Sequence, residues 1–208
     1  MSLPVLLLLI GFVYIVVFGG LALLRREGLS LRFALESLIL TGVVAGLTAV
    51  SSFKIEPVVF LLLLYLVTMR VRLLVDLGTD FARRGKIVRA GRFYEFAARL
   101  WPDQSGMIVI DVNRATALLQ SGQYDLAISL LKSVLDKAGQ GYLGVKYEVA
   151  AHYNLAVAYL RQKKDSQAII EFNAVLDTWP SSDYSRSATR ALEKLQHKNL
   201  AEKDNQEE

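Results

Sequence analysis

The side chains best able to do chemistry in this chain of 208 residues are few and scattered. Gly139-Gln140-Gly141-Tyr142-Leu143-Gly144 has the spacing of a dinucleotide fingerprint, in which glycines let the backbone close on a pyrophosphate. That chemistry needs a strand before the glycines, but the preceding run, Leu126 to Lys137, has helical character, so the segment reads as a loop. Ser129-Leu130-Leu131-Lys132 has the SxxK spacing of a serine nucleophile and its lysine base, without the companion motifs such enzymes carry. The two histidines, His152 and His197, are too few and too far apart for a histidine metal cluster. The absence of cysteine removes thiolate metal ligation, disulfides and a cysteine nucleophile. Glu36 is the one ionisable side chain set clearly within an apolar run, and a lone carboxylate is not a catalytic constellation. The chain therefore reads as non-enzymatic, with no catalytic residues, no cofactor and no metal.

The elements that would carry these residues divide into two regions. Hydrophobic residues make up 53% of the chain and concentrate in residues 1–70, while 71–208 has ordinary globular polarity. The net charge of +4 is too small to argue for a nucleic-acid partner. Leu3 to Leu24 is uncharged throughout and exceeds the roughly 20 residues that a membrane-crossing helix needs. It has no basic leading region, and it ends on Arg25-Arg26 rather than on small residues, so it reads as a retained span, not a cleaved leader. A second apolar segment covers about 33–50, with Glu36 one turn after Arg32 and a Gly42-x3-Gly46 pair that lets helix backbones approach. A third, about 55–70, opens on Pro57 at a first helical turn, and its short apolar core leaves Arg70 and Arg72 to reach the headgroups.

The short loop after the first segment carries Arg25, Arg26 and Arg32. The chain after the third carries Arg70, Arg72, Arg83, Arg84, Lys86, Arg89 and Arg92. The positive-inside rule then puts the N-terminus outside and everything after Arg70 in the cytoplasm, as in a bacterial inner-membrane protein. Arg70, Arg72, Arg83, Arg84 and Lys86 serve two compatible readings, the topology signal itself and contact with anionic lipid headgroups.

Beyond residue 70 one pattern of apolar and small residues recurs. Leu74-x2-Leu77-Gly78-x2-Phe81, Ala90-x3-Tyr94 and Pro102 return with the same offsets as His152-x2-Leu155-Ala156-x2-Tyr159, Ala168-x3-Phe172 and Pro180. This pattern resembles the tetratricopeptide repeat, a helical hairpin of about 34 residues. The resemblance implies an all-α chain: a three-helix transmembrane region over 1–70, then a short α-solenoid over 71–198. Its repeats fall at about 71–104, 108–141 and 149–182, followed by a capping helix over 183–198 with Ser181-Ser182-Asp183 as its N-cap. The middle copy departs at Arg114 and Gly139, and residues 142–148 are extra to strict repetition. A competing frame turns at Gly91-Arg92-Phe93; it puts Phe96 where the helix crossing needs a small residue, so the first frame is preferred. Residues 199–208 are charged, with little to bury, and read as a disordered tail.

In this family the first helix of each hairpin lines a concave groove. Here those positions are Arg72, Val75 and Thr79, then Val112, Asn113, Thr116 and Gln120, then Tyr153, Asn154, Val157 and Arg161. The partner-binding groove is assigned to the second and third sets. Val75 and Thr79 replace the lysine and asparagine of the family's carboxylate clamp, so the groove reads as apolar with amides and cations at its edges. The resemblance implies a membrane-anchored adaptor that holds a protein segment at the cytoplasmic face. A structural or assembly subunit, held in a larger complex through its apolar helices and able to form homo- or hetero-oligomers, is the alternative.

Overall fold

A computed structural model of the chain describes residues 1–27, 30–138 and 144–204, and among them every regular element is an α-helix. The first three are α1 (Leu3–Leu24), α2 (Leu31–Val50) and α3 (Pro57–Thr68). α1 and α2 are each long and apolar enough to cross a membrane. α3 has 12 residues, or about 18 Å of rise, short of the roughly 30 Å hydrocarbon core. The third apolar segment thus supplies only this short helix, and the charged α4 (Arg70–Arg83) that follows is bent from it by 70° at Met69.

These three helices pack around Leu7, Tyr14, Val44, Ala45, Phe60 and Leu64. The close approach between α1 and α2 is at Gly11, where a side-chain carbon would come within 2.9 Å of the Thr41 Cβ. Gly42 and Gly46 are not used for internal packing, since a carbon added at either would meet nothing within 4 Å. The Tyr14 hydroxyl shares a 2.7 Å hydrogen bond with the Thr68 hydroxyl, which ties α1 to the end of α3.

The remaining helices form three hairpins and one closing helix. They are α4 with α5 (Ile87–Arg99), α6 (Gln104–Gln120) with α7 (Tyr124–Ala138), α8 (Val145–Arg161) with α9 (Asp165–Thr178), and α10 (Asp183–Asp204). The chain turns between α4 and α5 at Gly85, and Gly91 lies inside α5. Gly85 (φ +72°) and Gly122 (φ +77°) supply the left-handed residue that ends α4 and α6. Lys163 has to adopt φ +59° at the matching place after α8. Inside the hairpins the small positions carry the crossings. Ala90 and Ala97 are fully buried around Tyr94, and Ala156 and Ala168 around Phe172. In the first hairpin the aromatic ring lies so close that a carbon added at Gly78 would stand 2.6 Å from Tyr94 Cε1.

The array has two apolar clusters, one over α4 to α6 and a larger one over α6 to α10, which meet at Val109. α10 begins on Ser182, whose hydroxyl accepts from the Ser185 backbone N–H at 3.0 Å, and it buries Ala188 and Leu195. The helix continues to Asp204, so the part of the tail from 199 to 204 is helical along its backbone; 205–208 lie outside the described residues.

Candidate partner-binding groove and its anchor

α4, α6 and α8 stand side by side and line a cavity of about 360 Å³. Of the residues assigned to the groove, Val112, Asn113, Thr116, Gln120 and Asn154 line it, together with Arg72, Val75 and Thr79 of α4. Tyr153, Val157 and Arg161 are not in its lining. The Tyr153 ring packs inward at 5.7 Å from Phe172 and 5.3 Å from Tyr184, and Val157 joins the larger apolar cluster. In their place stand Asp76, Arg83, Lys146, Tyr147 and Tyr184.

The floor is more polar than the sequence pattern suggests. Thr79 Oγ1 donates to Asn113 Oδ1 at 3.1 Å, and Asn154 Nδ2 donates to Thr116 Oγ1 at 3.0 Å. Asn113 and Thr116 are braced by their own helix, donating to the carbonyls of Val109 and Val112 four residues back, and the Thr79 hydroxyl shares its one proton between Asn113 and the Val75 carbonyl. These bonds fix the rotamers of a row of amides and hydroxyls running across three helices. Of the lining cations, Arg72 and Lys146 are paired with the Glu27 carboxylate, and Arg83 shares the wall with Asp76, so the cavity carries both signs of charge.

At one end of the groove the loop after α1 is docked onto the array. Glu27 is 6% exposed. Arg72 grips its carboxylate with both guanidinium NH2 groups, one of them at 3.0 Å. Lys146 Nζ donates to the same carboxylate at 2.6 Å. Burial alone would raise the Glu27 carboxyl, but the hydrogen bonds from Arg72 and Lys146 outweigh it and hold the group at about 2. The same contact raises the Arg72 guanidinium, against the effect of its burial. The neighbouring Tyr147 phenol is pushed up to about 12, first by burial and then by the Glu27 charge.

The backbone and a ring complete this anchor. The Lys146 N–H donates to the Arg26 carbonyl at 3.2 Å, and the Arg26 guanidinium lies 4.9 Å from the centre of the Trp179 ring. A side-chain carbon at Gly144 would fall 2.7 Å from the Arg26 carbonyl oxygen and closer still to the Glu27 backbone. Gly144 therefore has a packing use of its own, whereas Gly139 and Gly141 of the fingerprint-like segment lie outside the described residues.

Two further ties join the apolar helices to the array. Arg70 donates to both Glu36 oxygens, at 2.6 and 2.9 Å, and to the Leu100 carbonyl at 3.4 Å. Ser30 donates to Asp103, and Asp103 in turn caps α6 by accepting from the Gly106 N–H at 2.7 Å. The basic residues assigned to the membrane surface are thus split. Arg70 and Arg72 are engaged inside the protein, Arg83 sits on the groove wall, Arg84 pairs with Asp80 at 2.8 Å, and Lys86 is exposed at the start of α5.

Asp76 could have been found from sequence, since it lies one turn after Arg72 on the same helix. Lys146 and Tyr147 fall in the stretch read as extra to the repeat, and Glu27 lies in a short loop that no repeat pattern reaches. His152 does not face the groove chemistry; its Nδ1 is 2.7 Å from Glu171 across α8 and α9. Among the described residues no group of three His, Cys, Asp or Glu side chains gathers as a metal site.

Residues 112–183 match the tetratricopeptide repeat family. Neither a curated protein nor a solved structure matches the chain significantly.

Proposed function

The C-terminal part of this chain carries tetratricopeptide repeats, and from that premise we propose that the protein is a membrane-anchored adaptor. Its groove of α4, α6 and α8 holds a segment of a partner protein. The carrying observation is the hydrogen-bonded row Thr79, Asn113, Thr116 and Asn154 on an open cavity lined by charges of both signs, which offers fixed hydrogen-bonding groups to a peptide. Apolar side chains of that segment would seat against Val75, Val112 and Tyr184.

The array sits at the cytoplasmic face, with the N-terminus outside. The Arg25–Glu27 loop touches α8 directly, so this loop and the array share one side of the membrane. With α1 and α2 crossing in opposite directions, the short apolar helix α3 would bring the chain back to that side, where α4 already belongs to the array. The basic residues of the loop make that side the cytoplasmic one. A reporter enzyme fused after Glu208 is expected to act as a cytoplasmic one, and external activity would refute this orientation.

A second reading has its own observation. Gly42 and Gly46 lie on α2 with open space beside them, so a foreign helix could approach there and hold the protein in a larger complex. The adaptor reading is tested with a photo-crosslinking residue at Gln120 in intact membranes. Asn113→Arg, which fills the groove, is expected to abolish the crosslinked partner band. Persistence of that band at full intensity would remove the groove from the account.

A further inference from the structure

The array closes its C-terminal end with one amphipathic helix, α10, which buries Ala188 and Leu195 against the last hairpin. The other end has no such cover. Among the described helices α5 packs only on α4 and α6. Its remaining face is not the polar surface that end units of a solenoid usually present. Val88 and Phe96 of α5 are 75% and 53% exposed, and Leu77 of α4 is 50% exposed. Phe81 and Phe93 stack at 5.2 Å across the two helices and give this surface a firm floor. Arg89, Arg92, Phe93 and Phe96 enclose an open hollow of about 300 Å³.

The spacing gives this face a definite chemistry. Val88, Arg92, Phe96 and Arg99 fall on one stripe of α5, with Arg89 and Phe93 beside it. Arg89 and Arg92 form no ion pair among the described residues. A second copy of the chain packed face to face would set these arginines against their own equivalents, which disfavours self-association. A ridged surface of two antiparallel helices with a central hollow suits another helix, as at every other junction in this array.

We propose that the outer face of α5, with Leu77 of α4, docks an acidic amphipathic helix from a partner protein. The apolar stripe of that helix seats on Leu77, Val88 and Phe96, and its carboxylates meet Arg89 and Arg92. This surface is separate from the groove and does not depend on what the groove holds.

The test uses the full chain in phosphatidylcholine nanodiscs and two fluorescein-labelled designed peptides of about 18 residues, long enough to hold a helix. Both carry a leucine stripe; one has glutamates on its flanks, the other lysines. The glutamate peptide is expected to bind saturably by fluorescence anisotropy. Phe96→Asp should weaken it at least about tenfold, as loss of an aromatic anchor does. Arg89→Glu with Arg92→Glu should reverse the preference toward the lysine peptide, and Asn113→Arg in the groove should leave binding unchanged. The side chains changed on this face are exposed, and an unaltered circular dichroism spectrum confirms that each variant is folded. Equal binding of the two peptides, or indifference to both edge changes, would overturn the proposal. Two results would replace it: an oligomer that Phe96→Asp dissolves would assign the face to a second copy, and capture of phosphatidylglycerol vesicles without peptide binding would assign it to lipid.

Discussion

At its C-terminal end the array is closed by its own α10, while at its N-terminal end α4 is gripped by the apolar helices and the outer face of α5 stays bare. The first and third hairpins are built on the same offsets, yet one ends in a packed core and the other in arginines and exposed rings. Repetition of an apolar pattern specifies how a hairpin closes on itself. What each end then meets is decided by residues outside the pattern. At the N-terminal end those residues are Glu27, Glu36 and Ser30, all from the apolar region.

The sharpest way to break this contrast is Glu27→Gln. It leaves Arg72 and Lys146, themselves partly exposed, gathered around a neutral amide, which costs about 1–2 kcal/mol, less than the loss of a fully buried pair. Thermal unfolding of the full chain should report that cost, with the array coming free of the apolar helices first. The wild-type pH dependence follows from the same group. Its carboxyl is held at about 2 in place of its ordinary 4.5, so the folded protein binds that proton less tightly than the unfolded chain. The Glu27 contribution is therefore complete above about pH 4.5 and is lost as the pH falls toward 2. Glu27→Gln should flatten the stability profile in that window; an unchanged profile would mean that the anchor contributes nothing.

The closed end is tested next. Leu195→Ala in α10 removes buried carbon from the cap and should cost about 2 kcal/mol. Hydrogen exchange should then rise in α9 and α10 while the first hairpin is unaffected. The crossings inside the hairpins give a smaller contrast. Gly78→Ala drives a methyl against the Tyr94 ring and should cost about 1–2 kcal/mol, although the third hairpin has alanine at the corresponding Ala156. Smallest is Lys163→Gly, which relieves a left-handed residue and should raise stability by about 0.5–1 kcal/mol by denaturant titration.

These positions also mark how far the sequence could be read. The hairpins were legible because Gly78, Ala90 and Tyr94, and then Ala156, Ala168 and Phe172, serve packing needs that recur at fixed offsets. α10 was legible through its serine cap and helical spacing. The groove was legible where it repeats, at Asn113, Thr116 and Asn154, because those residues project from equivalent turns of α6 and α8. It was not legible at Lys146 and Tyr147, where α8 starts four residues before the repeat frame and brings two groove residues with it. Tyr153, Val157 and Arg161 lie on the same helix, but its rotation turns Tyr153 and Val157 toward the core. The anchor was hidden for a different reason. Glu27 meets its partners 45 and 119 residues away, and a single carboxylate at such separations leaves no period to detect.

The central claim is that the apolar helices hold the array in place and the groove captures the partner. It is tested most directly by quantifying the partner crosslinked from Gln120 in intact membranes in two variants side by side. Asn113→Arg obstructs the groove, and Gly42→Ile fills an outward face of α2 where an added carbon meets nothing in this chain. The account predicts that crosslinking falls at least about tenfold with Asn113→Arg and is unchanged with Gly42→Ile. Loss with Gly42→Ile and retention with Asn113→Arg would contradict it, and would assign partner capture to the membrane helices.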